Sequence, residues 1–149
     1  MTTTTVRKKF ATAALALGLA LMASAAVAQL PRSASPAAAA VYFISPKDGE
    51  TVTGDVLVRF GLKGMGVAPA GVDVANTGHH HLLINVDALP AMDQPIPADD
   101  THKHFGGGQT ETTLKLAPGR YTLQMLLGDK YHQPHQPPVL SEKITITVQ

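Results

Sequence analysis

Residues 79–87, His79-His80-His81-Leu82-Leu83-Ile84-Asn85-Val86-Asp87, read as a single β-strand. Side chains alternate across a strand, so His80, Leu82, Ile84 and Val86 share one face and His79, His81, Leu83 and Asn85 the other. The middle of the strand is core, whereas its start, with imidazoles on both sides, is expected to be wet or functional. By parity His80 belongs with the core strip and is expected to be a structural, hydrogen-bonded histidine.

Outward from this segment the period of two recurs. Residues 41–45 open the series, and residues 55–62 follow with Val56, Val58, Phe60 and Leu62 on one face. The turn between them, Pro46-Lys47-Asp48-Gly49, has Pro and Gly where turns use them. Residues 110–116 alternate with Thr112, Leu114 and Leu116 inward, and Pro118-Gly119 makes a tight turn. Residues 120–128 bring Tyr121, Leu123, Met125 and Leu127 to one face, and residues 143–148 do the same with Ile144, Ile146 and Val148. A further short strand is expected near residues 94–98. No window has a clean helical period. About seven strands at this spacing predict an all-β fold, an immunoglobulin-like antiparallel β-sandwich, with Tyr121 placed like the tyrosine of a tyrosine corner.

The N-terminus reads differently. Arg7, Lys8 and Lys9 precede an apolar stretch from Phe10 to Met22 and small residues ending Ala26-Val27-Ala28, the order of a secretion signal. Residues 1–28 are therefore expected to be a signal peptide, residues 29–40 a disordered Ser/Pro/Ala-rich linker, and residues 41–149 the sandwich domain. The apolar stretch is shorter than the roughly 20 residues a membrane span needs. The expected location is periplasmic or secreted. Loss of three basic residues leaves nine against eleven acidic ones, so neither nucleic acid nor an anionic membrane is an expected partner. The chain has no cysteine, which excludes disulfides, thiolate metal sites and cysteine nucleophiles.

All seven histidines fall between His79 and His135, in three groups: His79-His80-His81, His102 with His104, and His132 with His135. Strand alternation puts the connections that carry them at one pole. His-x-His on a strand sends two imidazoles to one face about 6 to 7 Å apart, a gap one metal ion can bridge. His79, His81, His102, His104, His132 and His135 are accordingly the candidate ligands. An imidazole-rich set without thiols favours copper first and zinc second. Asp129, Asp99 or Asp100 are candidate acceptors for ring nitrogens. Met125 reads as core, while Met65 and Met92 are soft-ligand candidates, and Glu111 is expected either to hydrogen-bond a ligand or to face solvent. An imidazole titrates ordinarily near pH 6.5, which predicts that protons displace the metal by about pH 5.

Three segments, Gly78-His79-His80-His81-Leu82-Leu83-Ile84-Asn85, His104-Phe105-Gly106-Gly107-Gly108-Gln109-Thr110-Glu111 and residues 118–129, together resemble a bacterial family of exported domains of unassigned function. The resemblance covers about residues 41–149 and brings no reaction with it. A looser similarity links the chain to copper-handling periplasmic β-sandwiches and to copper/zinc superoxide dismutases, which also mount His-x-His on a sandwich strand. The dismutase cysteines are absent. The expected function is a metal-binding protein acting as carrier, buffer or accessory chaperone. The alternatives are a module whose His/Pro-rich loops bind a cell-envelope protein or glycan, and a metal-dependent hydrolase with Glu111 as base. A histidine-brace oxygenase needs an N-terminal His, and Gln29 is not one.

Overall fold

In the computed structural model, which describes Thr2 and residues 30–149, the alternating stretches pair into two sheets. The strands are β1 (Ala40–Ser45), β2 (Thr51–Val52), β3 (Val56–Lys63), β4 (Gly66–Val67), β5 (Thr77–Ile84), β6 (His102–His104), β7 (Glu111–Leu114), β8 (Gly119–Gly128) and β9 (Ile144–Val148). One sheet has the order β1-β3-β7; the other has the order β2-β9-β8-β5-β4, with β6 also on β5. With β1, β3 and β7 as A, B and E, and β9, β8 and β5 as G, F and C, this is the order of an immunoglobulin sandwich. β6 lies beside β5 where variable-type domains add a strand. The signal-peptide reading of residues 1–28 lies, Thr2 apart, outside the described residues. Among those described, no helix is long and apolar enough to cross a membrane.

Burial follows the predicted parity on the inner faces. Val56, Val58 and Phe60 meet Leu82, Ile84, Leu123, Met125, Leu127 and Ile146 in one core between the sheets. Tyr121 Oη donates to Ala117 O at 2.9 Å, the hydrogen bond of a tyrosine corner. Leu123, two residues on, takes the place of the cysteine of antibody domains and is fully buried. Aliphatic packing stands where the disulfide would.

Three features differ from the sequence expectation. The long pairs are antiparallel, but two short parallel pairs, β2 with β9 and β4 with β5, are added. No strand forms at residues 94–98, because Pro95 and Pro97 flank Ile96 and offer no N–H to a ladder. The stretch instead crosses the outer face of the larger sheet, where Ile96 packs on Leu83 and Leu126 as a second small core. The added strand is β6, whose His104, Lys103 and His102 lie opposite His81, Leu82 and Leu83.

Residues 30–39, expected to form a linker, make defined contacts. Ser35 N donates to Gln136 O at 3.1 Å and Gln136 N to Ser33 O at 2.9 Å, around a parallel bridge between Ala34 and Gln136. The chain's own N-terminal segment thus lies against the Pro-rich loop that follows β8.

Candidate metal centre

The registers of β5, β6 and β8 assemble an imidazole cluster on the outer face of the larger sheet. His81 and His104 are directly opposed across β5 and β6, where side chains share a face, and their ring centroids are 4.9 Å apart. His79, two residues along the same face, is 4.8 Å from His81 and 5.0 Å from His104. The loop after β8 brings in His132, at 4.8 Å from His104 and 5.1 Å from His79. One nitrogen from each of these four rings lies within 4.8 Å of the others. A tetrahedral ion with bonds near 2.0–2.1 Å needs its nitrogens about 3.4 Å apart, so a small inward rotation of the rings suffices.

Two glycines make room for the rings. Gly128 is the β8 partner of His79, and a Cβ there would lie 2.6 Å from His81 Cε1 and 3.2 Å from His79 Nε2. At Gly106 a Cβ would meet His104 Cε1 at 2.4 Å and Nε2 at 2.6 Å. Neither glycine was singled out as a site residue from the sequence. A glycine at the end of an apolar strand, which often marks a close approach, was the signal.

The cluster is buried at its base and open at its top. His79 and His81 are buried, His132 is half-buried and His104 exposed, so of the two expectations for the strand start, wet or functional, the first does not hold. His79 Nε2 and both ring nitrogens of His81 have no hydrogen-bond partner, although buried polar atoms in native proteins nearly always do. Burial, then the neighbouring imidazoles His104 and His132, push the pKa of His79 down to about 4. Burial, then His79, His104 and His132, push His81 to about 2. Burial and His132 also lower His104. At neutral pH these three rings are therefore uncharged, each with a lone pair to offer.

Asp129 organises the loop that carries His132. Its buried carboxylate accepts from Tyr131 N at 2.9 Å and Gln133 N at 3.0 Å through Oδ1, and from Ser33 N at 3.0 Å through Oδ2. Burial pulls its pKa upward, and the N–H groups of Ser33, Tyr131 and Gln133 outweigh that pull, holding it below the usual carboxylate range. Asp129 O accepts from His132 N at 2.9 Å, and His132 takes a φ of 64°. Asp129 thus acts on the loop backbone, where the sequence had offered it as an acceptor for a ring nitrogen.

The other expected residues lie elsewhere. His102 is tied by its Nδ1 to Asp99 at 3.0 Å and stands outside the group of four. Its hydrogen bond, with that of Thr101, holds the Asp99 carboxyl below its usual range. Asp100 accepts from Lys103 at 3.2 Å. His135 is buried with its ring facing Thr77 O at 3.1 Å and Leu127 O at 3.4 Å. A Cβ at Gly78 would meet His135 Cε1 at 2.8 Å; Gly78 shares the parity of His80, so His135 sits on the opposite side of β5 from the cluster. His80 is in the core against Phe60, 5.0 Å between centroids, but neither of its nitrogens has the hydrogen bond expected of it. Met65 packs on the main core, and Met125 is within it. Glu111 pairs with Arg59 at 3.3 Å on the smaller sheet, away from the cluster.

The protein is thus, by fold and site, an immunoglobulin-like sandwich with four convergent imidazoles on the outside of its larger sheet. Residues 58–149 match the family described as a domain of unknown function (DUF4399), and the chain belongs to that family. All four imidazoles lie within the matched residues; Ser33 and β1 lie before them. No curated protein and no solved structure matches the chain.

Proposed function

We propose that the protein binds one divalent transition-metal ion, copper(II) in preference to zinc(II), through His79, His81, His104 and His132, and serves as a carrier, buffer or accessory chaperone in the periplasm or outside the cell. The observation that carries this reading is the convergence of four imidazoles, the two buried ones bearing ring nitrogens, Nε2 of His79 and both of His81, without a hydrogen-bond partner. Imidazole sets suit copper, zinc and nickel; the intrinsic affinity order puts copper(II) first, whereas a tetrahedral arrangement of the four rings suits zinc(II). The location rests on the signal-like N-terminus. Exposure of His104 gives the ion a way in and out, which suits a protein that passes its metal on. A hydrolytic role finds no support in Glu111, which is engaged with Arg59 on the other sheet.

Equilibrium dialysis against copper(II) and zinc(II), with elemental analysis, tests the proposal. One ion per chain is expected, lost in the double variant His79→Ala with His81→Ala and retained in His102→Ala. Equal uptake by wild type and the double variant would overturn it.

A further inference from the structure

Three of the four imidazoles are fixed by sheet register: His79 and His81 on β5, and His104 opposite His81 on β6. The fourth is not. His132 stands in a loop, held at its own carbonyl by Ile96 N at 2.8 Å and, on the side of Asp129, by the N-terminal segment. We propose that Arg32, Ser33 and Asp129 are positioning residues that set His132 as the fourth ligand, so that docking of the N-terminal segment decides between four-imidazole and three-imidazole coordination. This rests on the metal-binding reading of the site.

The contacts form a strap from residues 32–35 to residues 129–137. Arg32 Nε donates to Pro134 O at 2.8 Å, and its two terminal nitrogens donate to His135 O and to Gln136 Oε1. Ser35 Oγ donates to Pro137 O at 2.6 Å. The Ser33 amide supplies one of the three N–H groups on Asp129, and the other two belong to Tyr131 and Gln133, the residues on either side of His132. Asp129 is therefore the node through which the strap reaches the ligand. Without Ser33 the carboxylate keeps two partners in the loop but loses its tie to the rest of the chain. Arg32 acts one step further out, its planar fork gathering two carbonyls and an amide oxygen that would otherwise turn to water. The strap meets the cluster at Asp129, whose backbone O accepts from His132 N at 2.9 Å and whose carboxylate charge reaches His79. Its influence on the ion passes through the loop backbone, as outer-shell partners act on the ligands they orient.

The test uses the full chain, loaded with copper(II), with the bound imidazole nitrogens counted by pulsed EPR and the affinity measured by competition dialysis. Wild type is expected to show four imidazoles, and His132→Ala three. Arg32→Ala and Asp129→Asn are expected to move the count toward three and weaken binding about tenfold to a hundredfold, the usual range for outer-shell partners, with Arg32→Lys recovering part of the loss. Arg32 is only half-buried, so its variant folds even if Asp129→Asn does not. Four imidazoles and wild-type affinity in Arg32→Ala would overturn the proposal. Should wild type take up no copper(II), the metal reading itself fails, and hydrogen exchange at the amides of Tyr131, His132 and Gln133 decides the strap alone. Exchange at least tenfold faster in Arg32→Ala supports it; unchanged exchange refutes it.

Discussion

His80 and Gly128 show how much a single position carries. His80 was legible as a core residue because its parity matches Leu82 and Ile84, but nothing in the sequence reveals that its ring meets Phe60 rather than a hydrogen-bond partner. Burial lowers its pKa from 6.5 to about 4. Between those values the unfolded chain takes up a proton that the folded chain refuses, so stability rises with pH there and falls on acidification. His80→Leu should remove about 2 kcal/mol of the stability lost between pH 7 and pH 4.5, read by urea denaturation of both proteins at the two values. Identical acid sensitivity would show that the ring finds a partner. At Gly128 the missing side chain is what leaves room for the rings, since a Cβ would press on His81 and His79. Gly128→Ala should cost about 1–3 kcal/mol, as overpacking does, and weaken metal uptake measured by dialysis. A variant indistinguishable in both measurements would place the rings elsewhere.

Elements were readable through the face they turn to the main core. β3, β8 and β9 were found with nearly their observed bounds and with the right inward residues. The cover on the outer face of β5 and β8 was not legible, because coverage by a segment distant in sequence leaves no local period. Its only trace was the double-parity runs Leu82-Leu83-Ile84 and Met125-Leu126-Leu127, the pattern of strands buried on both sides. β6 was missed for a related reason, since three polar residues form a strand only because β5 presents a free edge to them. Leu126 separates the two readings. Parity alone turns it outward, yet it is fully buried against Ile96 and Leu83, so Leu126→Ala should cost about 2–5 kcal/mol, like Leu82→Ala on the inner face. A denaturation midpoint near that of wild type would mean that the outer core does not form.

For the whole molecule, metal and stability should be linked. An ion that binds only the folded cluster stabilises it by about 2.7 kcal/mol at a hundredfold excess over Kd, and added copper(II) or zinc(II) should raise Tm. Ordinary imidazoles would lose that rise by about pH 5. Because His79 and His81 stay neutral down to about 4 and about 2, most of the rise should persist at pH 5, in scanning calorimetry with and without metal; its disappearance there would show rings as protonatable as free ones. The strap adds a dimension of time. It joins residues 32–35 to residues 129–137, a tie spanning 96 positions from Ser33 to Asp129, and such a contact needs both segments present and a long loop closed. A chain that has emerged as far as residue 100 holds His79 and His81 but neither His104 nor His132. On the proposed metal-binding reading, the complete donor set would exist only once both ends of the domain have met, so loading with four imidazoles would mark a finished molecule and pass over its precursors.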